Sequence, residues 1–157
     1  KGTKFTVMIP FEIVQKQEDI PVSKSDVSLL KGKRVLLVED NDLNMEIASE
    51  MLKMNDMEVI TAKNGQEALH VFETSPLFSI DMILMDMQMP VMDGCQATEM
   101  IRQLDRPDAK TVMIIALTAN AFSEDVSRAL RVGMNAHVSK PIRMKVLNQV
   151  MSDLLSK

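Results

Sequence analysis

Short apolar runs alternate with helical patterns five times between Gly32 and the end of the chain. Most of these runs lack the alternation of apolar and polar residues that a half-exposed strand shows, which is typical of strands buried on both faces of a parallel sheet. The runs lie at 34–38, 57–61, 81–85, 112–117 and 135–139. Because right-handed crossovers place helices on both faces of such a sheet, the pattern predicts a doubly wound (βα)5 fold of three layers in the α/β class.

The segments between the runs carry apolar residues at spacings that place them on one face of a helix. Each face is expected to pack against the sheet. The predicted faces are Ile47, Met51 and Met54; Ala68, Leu69 and Phe72; Ala97, Met100, Ile101 and Leu104; Phe122, Val126, Ala129 and Leu130; and Leu147, Val150, Met151 and Leu154.

The first residues of the chain follow a different pattern. Apolar residues alternate there with mostly polar ones, which predicts a strand over 1–13 with one buried face: Phe5, Val7, Ile9, Phe11 and Ile13. Residues 14–32 are polar and charged without a sustained period, and we expect them to form a linker. A chain of 157 residues has room for one ordinary domain and a short attachment, so 33–157 is expected to be that domain.

Composition excludes several classes of function. The net charge is −4 and the chain has neither Trp nor Tyr, which argues against electrostatic binding and base stacking of nucleic acid. Cys95 is the single cysteine, so an internal disulfide is excluded and no Cys/His cluster suggests zinc or redox chemistry. No run approaches the ~20 apolar residues of a membrane-spanning helix. We therefore expect a cytoplasmic location without membrane contact.

Chemically active residues follow the ends of the predicted strands. Glu39 and Asp40 come after the first run, Asp86 after the third, Thr118 after the fourth and Lys140 after the fifth. Taken singly, acids and threonines often cap helices and lysines often lie in solvated loops. Together they should meet at one edge, because ligands of doubly wound folds bind beyond the carboxyl ends of the strands.

This set of residues suits phosphoryl transfer. Three carboxylates at one edge repel one another unless a hard cation such as Mg²⁺ neutralises them. Lys140 adds a positive charge and Thr118 a hydroxyl donor, which together suit the oxygens of a transferring phosphoryl group. A carboxylate can also act as the nucleophile. Asp86 lies between the acidic pair and the other two residues, and is the best candidate.

Four motifs now identify a family resemblance. The chain resembles a response regulator receiver domain, of the kind found at the C-terminus of hybrid sensor histidine kinases. The matching motifs are LLVEDN (36–41), MDMQMPVMDG (85–94), ALTAN (116–120) and GMNAHVSKPI (133–142). The resemblance implies a flavodoxin-like sandwich with the parallel strand order 2-1-3-4-5.

The resemblance also implies roles for the residues at the strand ends. Asp86 would accept a phosphoryl group from a phosphohistidine, and Lys140 would pair with that group. Asp40, Asp86 and the backbone carbonyl of Gln88 would ligate Mg²⁺, with Mn²⁺ as an alternative ion. Glu39 stands where many members have Asp, and would reach the metal through water.

Further positions are relevant to the conformational switch and to the lifetime of the phosphoryl group. The resemblance implies that Thr118 swings towards the phosphoryl group and that the face of the fourth helix, fifth strand and fifth helix then rearranges. His137 occupies the place of an aromatic switch residue, and an alternative is a surface histidine without that role. Gln88 and Asn120 lie where the family tunes dephosphorylation.

The resemblance also implies partners. The donor would be the phosphohistidine of a histidine kinase and the recipient a histidine phosphotransfer protein. The segment 1–13 is similar to the last strand of a histidine kinase ATP-binding domain, which suggests a parent hybrid kinase, and a membrane anchor on that parent is compatible with a cytoplasmic receiver domain. The fragment alone would catalyse only its own aspartyl phosphorylation and dephosphorylation.

Two other functions are weighed against this one. A phosphohydrolase of the haloacid-dehalogenase type needs a second Asp two residues after the nucleophile, where this chain has Gln88. A receiver-like interaction module that takes no phosphate has usually lost Asp86, Lys140 or the acidic pair, and all of these are present.

Overall fold

The computed structural model describes residues 27–119 and 124–156. The strand expected at 1–13, most of the expected linker, Phe122 and Asn120 lie outside the described residues. Five parallel strands form one sheet of order β2-β1-β3-β4-β5, so the predicted fold class and strand order are confirmed. The strands are β1 (Arg34–Val38), β2 (Glu58–Ala62), β3 (Met82–Asp86), β4 (Met113–Thr118) and β5 (Ala136–Ser139).

The core consists of two layers, one on each face of the sheet. Successive residues of a strand point to opposite faces, so Ile83 joins one cluster while Met82 and Leu84 join the other. All five residues of β3 are buried, as expected for the central strand. The run 81–85 therefore carries apolar residues without alternation because both of its faces pack against helices.

Five α-helices of the described residues cover the sheet. They are α1 (Asp42–Lys53), α2 (Gly65–Thr74), α3 (Gly94–Gln103), α4 (Glu124–Arg131) and α5 (Met144–Leu155). Buried residues of α2, α3 and α4 belong to the cluster that contains Ile83, and those of α1 and α5 belong to the cluster that contains Met82 and Leu84. Within the described residues, no helix is long and apolar enough to cross a membrane.

The predicted buried face of α1 is wrong. Ile47 is 47% exposed and Met54, just past the helix, is 82% exposed. The buried residues Met45, Ala48 and Leu52 follow the same helical spacing from a different starting point. The sequence contains two apolar stripes on this helix, and packing against the sheet buries only one of them. Met100 and Leu130 are also exposed, at 44% and 51%, beside buried neighbours on α3 and α4.

Gly94 fixes the loop that follows β3. Its backbone N–H donates to the Met87 carbonyl at 3.3 Å, so the chain folds back directly behind Asp86. A Cβ atom at Gly94 would lie 2.2 Å from the Asp86 carbonyl oxygen, a distance that no side chain can occupy. Asp93 and Gln96 then start α3 with a reciprocal capping box.

Arg106 and Asp108 hold the opposite end of the molecule. The Arg106 guanidinium donates to the carbonyls of Phe72, Glu73 and Ser75 at the C-terminus of α2, where carbonyls lack partners within the helix backbone. It also forms two hydrogen bonds with Asp108, at 3.0 and 2.8 Å. This pair lowers the pKa of Asp108 to about 2. The ion pair thus lies at the end of the sheet where the strands begin, opposite the end that carries Asp86 and Lys140.

Candidate functional site

Three carboxylates meet at the carboxyl edge of the sheet. Glu39 and Asp40 follow β1, and Asp86 is the last residue of β3, which lies directly beside β1. One carboxylate oxygen from each residue lies within 4.8 Å of the others. Glu39 and Asp86 are 2% and 5% exposed, whereas Asp40 is open to solvent. The structure therefore brings the predicted acidic residues together, two of them buried.

The Lys140 ammonium joins two of these acids. Its Nζ donates to Glu39 Oε2 at 2.6 Å and to Asp86 Oδ2 at 2.7 Å. The Lys140 backbone N–H donates to the Thr118 carbonyl at 2.8 Å, which holds the end of β5 beside β4, and the Lys140–Pro141 bond is cis. Burial alone would lower the pKa of Lys140, but the hydrogen bonds to Asp86 and Glu39 outweigh it and raise that pKa.

The Asp86 carboxylate has opposing influences on its charge. Burial raises the pKa of Asp86 above its ordinary value, and the Lys140 ammonium offsets part of that rise. The second oxygen, Oδ1, accepts the backbone N–H of Gln88 at 3.2 Å. One oxygen thus bonds the loop and the other bonds Lys140, so the carboxylate is held in one orientation.

Thr118 is the last residue of β4 and is fully buried. Its hydroxyl oxygen has no hydrogen-bond partner among the described residues. A buried hydroxyl without a partner is unfavourable by about 1–3 kcal/mol. Thr118 lies one residue beyond Leu117, the neighbour of Asp86 in β4, so a phosphoryl oxygen bound at Asp86 that reached this hydroxyl would relieve the cost.

The donor set fits Mg²⁺. Carboxylate oxygens are the ligands this ion prefers, and it usually keeps several waters beside one or two carboxylates. Asp40 is exposed, so water can reach the carboxylate cluster from its side, whereas Asp86 is buried and supplies a carboxylate oxygen from within the protein. Gln88 lies two residues beyond Asp86, and its backbone N–H donates to the Asp86 carboxylate, so the loop is held beside that carboxylate.

The remaining predicted residues are less closely tied to the acids. His137 lies in β5 and is partly buried, with Ala116 as its neighbour in β4. Asn120 lies outside the described residues. His70 is exposed to solvent, and Cys95 is buried in the core.

Sequence reasoning missed two features of the site. Asn44 donates to Glu39 Oε1 at 3.1 Å, and the only sequence signal was an Asn at the third position of a helix. Arg128 of α4 pairs with Asp93 at 3.1 Å, and both residues line a cleft of about 400 Å³ that Asp40 also lines. The Asn44 contact spans only five residues but depends on the rotamer of Glu39, and the Arg128–Asp93 pair joins elements that only the packed fold brings together.

Comparisons with known proteins agree with this geometry. The family model of the response regulator receiver domain matches residues 35–152. Hybrid signal transduction histidine kinase L of Dictyostelium discoideum is 36% identical over 144 residues, which are 91% of this chain and 8% of that kinase. The chain therefore spans a small part of the curated relatives it matches.

Two solved structures are also similar. The receiver domain of sensor histidine kinase PA1611 from Pseudomonas aeruginosa has a TM-score of 0.72 and 35% identity, over 80% of this chain and 99% of that one. That structure holds a magnesium ion in its active-site cleft. The Saccharomyces cerevisiae receiver domain of Ssk1, crystallised with the histidine phosphotransfer protein Ypd1, has a TM-score of 0.70 and 29% identity, over 80% and 90% of the chains.

Proposed function

This chain belongs to the response regulator receiver family of two-component signalling, and from that premise we propose that Asp86 is its phosphoacceptor. The observation that carries the proposal is the Lys140 ammonium, which bonds both Asp86 and Glu39 within 2.7 Å. A cation held there is already in place to neutralise a phosphoryl group bound to Asp86. Buried carboxylates alone would repel such a group.

In the proposed reaction, an oxygen of Asp86 attacks the phosphorus of a phosphohistidine. The new O–P bond forms as the P–N bond breaks, and the bond's electron pair leaves with the imidazole. Lys140 offsets the charge on the phosphoryl oxygens, and Gln88 N–H fixes the orientation of the attacking carboxylate. Hydrolysis of the acyl phosphate would return Asp86, with Gln88 and Asn120 as the residues that tune its rate.

Mg²⁺ is the proposed cofactor, held by Asp40, Asp86 and the Gln88 carbonyl, with Glu39 acting through water. When bound, the ion neutralises the carboxylates and the phosphoryl oxygens. Mn²⁺ has the same preference for carboxylate and water ligands, so we propose that it substitutes. The cluster of three carboxylates with an exposed Asp40 supports this assignment.

Thr118 is the proposed switch. Its unpartnered hydroxyl would donate to a phosphoryl oxygen on Asp86. Thr118 is paired with Ser139 in β5, so its movement would reach the face formed by α4, β5 and α5. His137, two residues before Ser139 on the same strand, is the proposed second member of this switch.

The proposed partners are proteins. The Ssk1 receiver domain was crystallised with a histidine phosphotransfer protein, which supports a recipient of that class. The donor would be the phosphohistidine of a hybrid histidine kinase to which this chain belongs. We propose that 33–157 is the receiver domain, 14–32 a linker and 1–13 the last strand of the kinase's ATP-binding domain, all on the cytoplasmic side.

Intact-mass analysis tests the phosphoacceptor directly. The chain would be incubated with acetyl phosphate and Mg²⁺, and we expect one phosphoryl adduct that disappears in EDTA. Asp86→Asn should remove the adduct, whereas Asp105→Asn, the same change at an exposed loop position, should keep it. An undiminished adduct in Asp86→Asn would refute the assignment, and no adduct on the wild type would favour a phosphate-independent interaction module.

A further inference from the structure

Asn44 occupies an unusual position at the start of α1. Asn41 is the N-cap, and its side chain accepts the backbone N–H groups of Leu43 and Asn44. In a capping box, the side chain at the third helical position bonds back to the N-cap N–H. Here the Asn41 N–H donates to Glu39 Oε1 at 3.4 Å, and the Asn44 amide donates to the same oxygen at 3.1 Å.

The two oxygens of Glu39 therefore have different partners. Oε1 accepts from Asn41 and Asn44, which uses both lone pairs of that oxygen. Oε2 accepts from Lys140, whose ammonium also bonds Asp86, so Oε2 is the oxygen on the side of the phosphoacceptor. Asn44 thus holds Oε1 of Glu39 at the start of α1, which directs Oε2 towards Lys140 and Asp86.

Glu39 needs such a contact more than an aspartate would. A glutamate has one more rotatable bond, and fixing a side chain reduces its rotamer freedom. An acid in place of Asn44 would add charge to a site that already holds three carboxylates, and an apolar residue would leave Oε1 without its side-chain donor. A neutral amide is the group that orients Glu39 without repelling it.

We infer that Asn44 is a positioning residue for the metal site, acting through Glu39. The inference rests on the proposed function, because it assumes that Mg²⁺ binds beside Asp86. Removing the hydrogen-bond partner of a direct metal ligand typically weakens metal binding about 10–100-fold. Glu39 would reach the ion through water and Asn44 is exposed to solvent, so we expect an effect no larger than the low end of that range, about tenfold.

Calorimetric titration with Mg²⁺ alone, without a phosphodonor, measures this effect. Asn44→Ala should raise the Mg²⁺ dissociation constant about tenfold. The matched control is Asn55→Ala, just beyond the other end of α1, which removes an amide contact to Asn148 at 2.8 Å far from the acids. The control should bind Mg²⁺ like the wild type. Urea unfolding in EDTA, followed by circular dichroism, checks that both variants fold.

A second background separates positioning from a general effect on the helix. In Glu39→Ala, no carboxylate remains for Asn44 to orient, so adding Asn44→Ala should change the dissociation constant less than about twofold. An equal loss in both backgrounds, or wild-type binding by Asn44→Ala, would overturn the inference. A wild-type chain that binds no Mg²⁺ would instead overturn the proposed metal site.

Discussion

Replacing Lys140 with methionine keeps most of the side-chain volume and removes the ammonium that joins Glu39 to Asp86. The two carboxylate side chains are 2% and 7% exposed and Lys140 is 23% exposed, so the contact is largely shielded from water. Removing one partner of a buried ion pair lowers the free energy of unfolding by about 3–5 kcal/mol. Because Lys140 is partly exposed, we expect the low end, about 3 kcal/mol in EDTA.

Mg²⁺ should recover part of this loss. The ion would supply positive charge to the same carboxylates, so Lys140→Met should bind it more tightly than the wild type does. Each tenfold gain in affinity narrows the difference in stability by about 1.4 kcal/mol at saturation. The difference in the free energy of unfolding between the wild type and Lys140→Met should also shrink as the pH falls towards the raised pKa of Asp86, because a protonated carboxyl carries no charge for the ammonium to neutralise.

Urea unfolding followed by circular dichroism, in EDTA and in saturating Mg²⁺, measures both effects. Lys33→Met is the matched control, because Lys33 bonds Asp81 at 2.9 Å at the opposite edge of the sheet and both side chains are about one third exposed. Such a pair contributes about 0.2–1 kcal/mol. Equal losses in the two variants, or a Lys140→Met deficit that Mg²⁺ leaves unchanged, would refute the account of Lys140.

Three further predictions concern the loop, the ion pair and the switch. Gly94→Ala should lower stability by about 1–3 kcal/mol in thermal denaturation, because its Cβ would overlap the Asp86 carbonyl oxygen. Asp108, with its folded pKa of about 2 below an unfolded value of about 3.9, should contribute about 2.6 kcal/mol above pH 4 that is lost as the pH falls through 2; Arg106→Leu should remove most of that pH dependence in acid titrations of unfolding, because only the Phe78 backbone N–H still donates to Asp108 from outside its own turn. Thr118→Ala should keep the phosphoryl adduct by mass, yet lose the change in amide exchange over α4 to α5; an unchanged exchange response would contradict its role.

The sequence alone was sufficient to predict where the strands lie and which candidate residues follow them. Residues 35–38 of the first run are all apolar, so no choice of face was needed, and each observed strand starts within one residue of its prediction. Parallel strands end at the same edge, so the chain order alone predicted that Asp86 and Lys140 would meet. The strand order 2-1-3-4-5 came from the family resemblance and not from periodicity.

Only the tertiary structure decided which partner each side chain meets. The stripe with Ile47 and the stripe with Met45 have the same helical spacing, and packing against the sheet selected Met45. The bond between Lys140 and Glu39 joins residues 101 positions apart, which pattern along the chain does not encode. The contact of Asn44 with Glu39 is local but depends on a rotamer of Glu39 that Lys140 helps to fix. The sequence determined which chemical groups reach the edge of the sheet, and the packed fold determined their contacts, because hydrogen bonds depend on distances that only the folded chain sets.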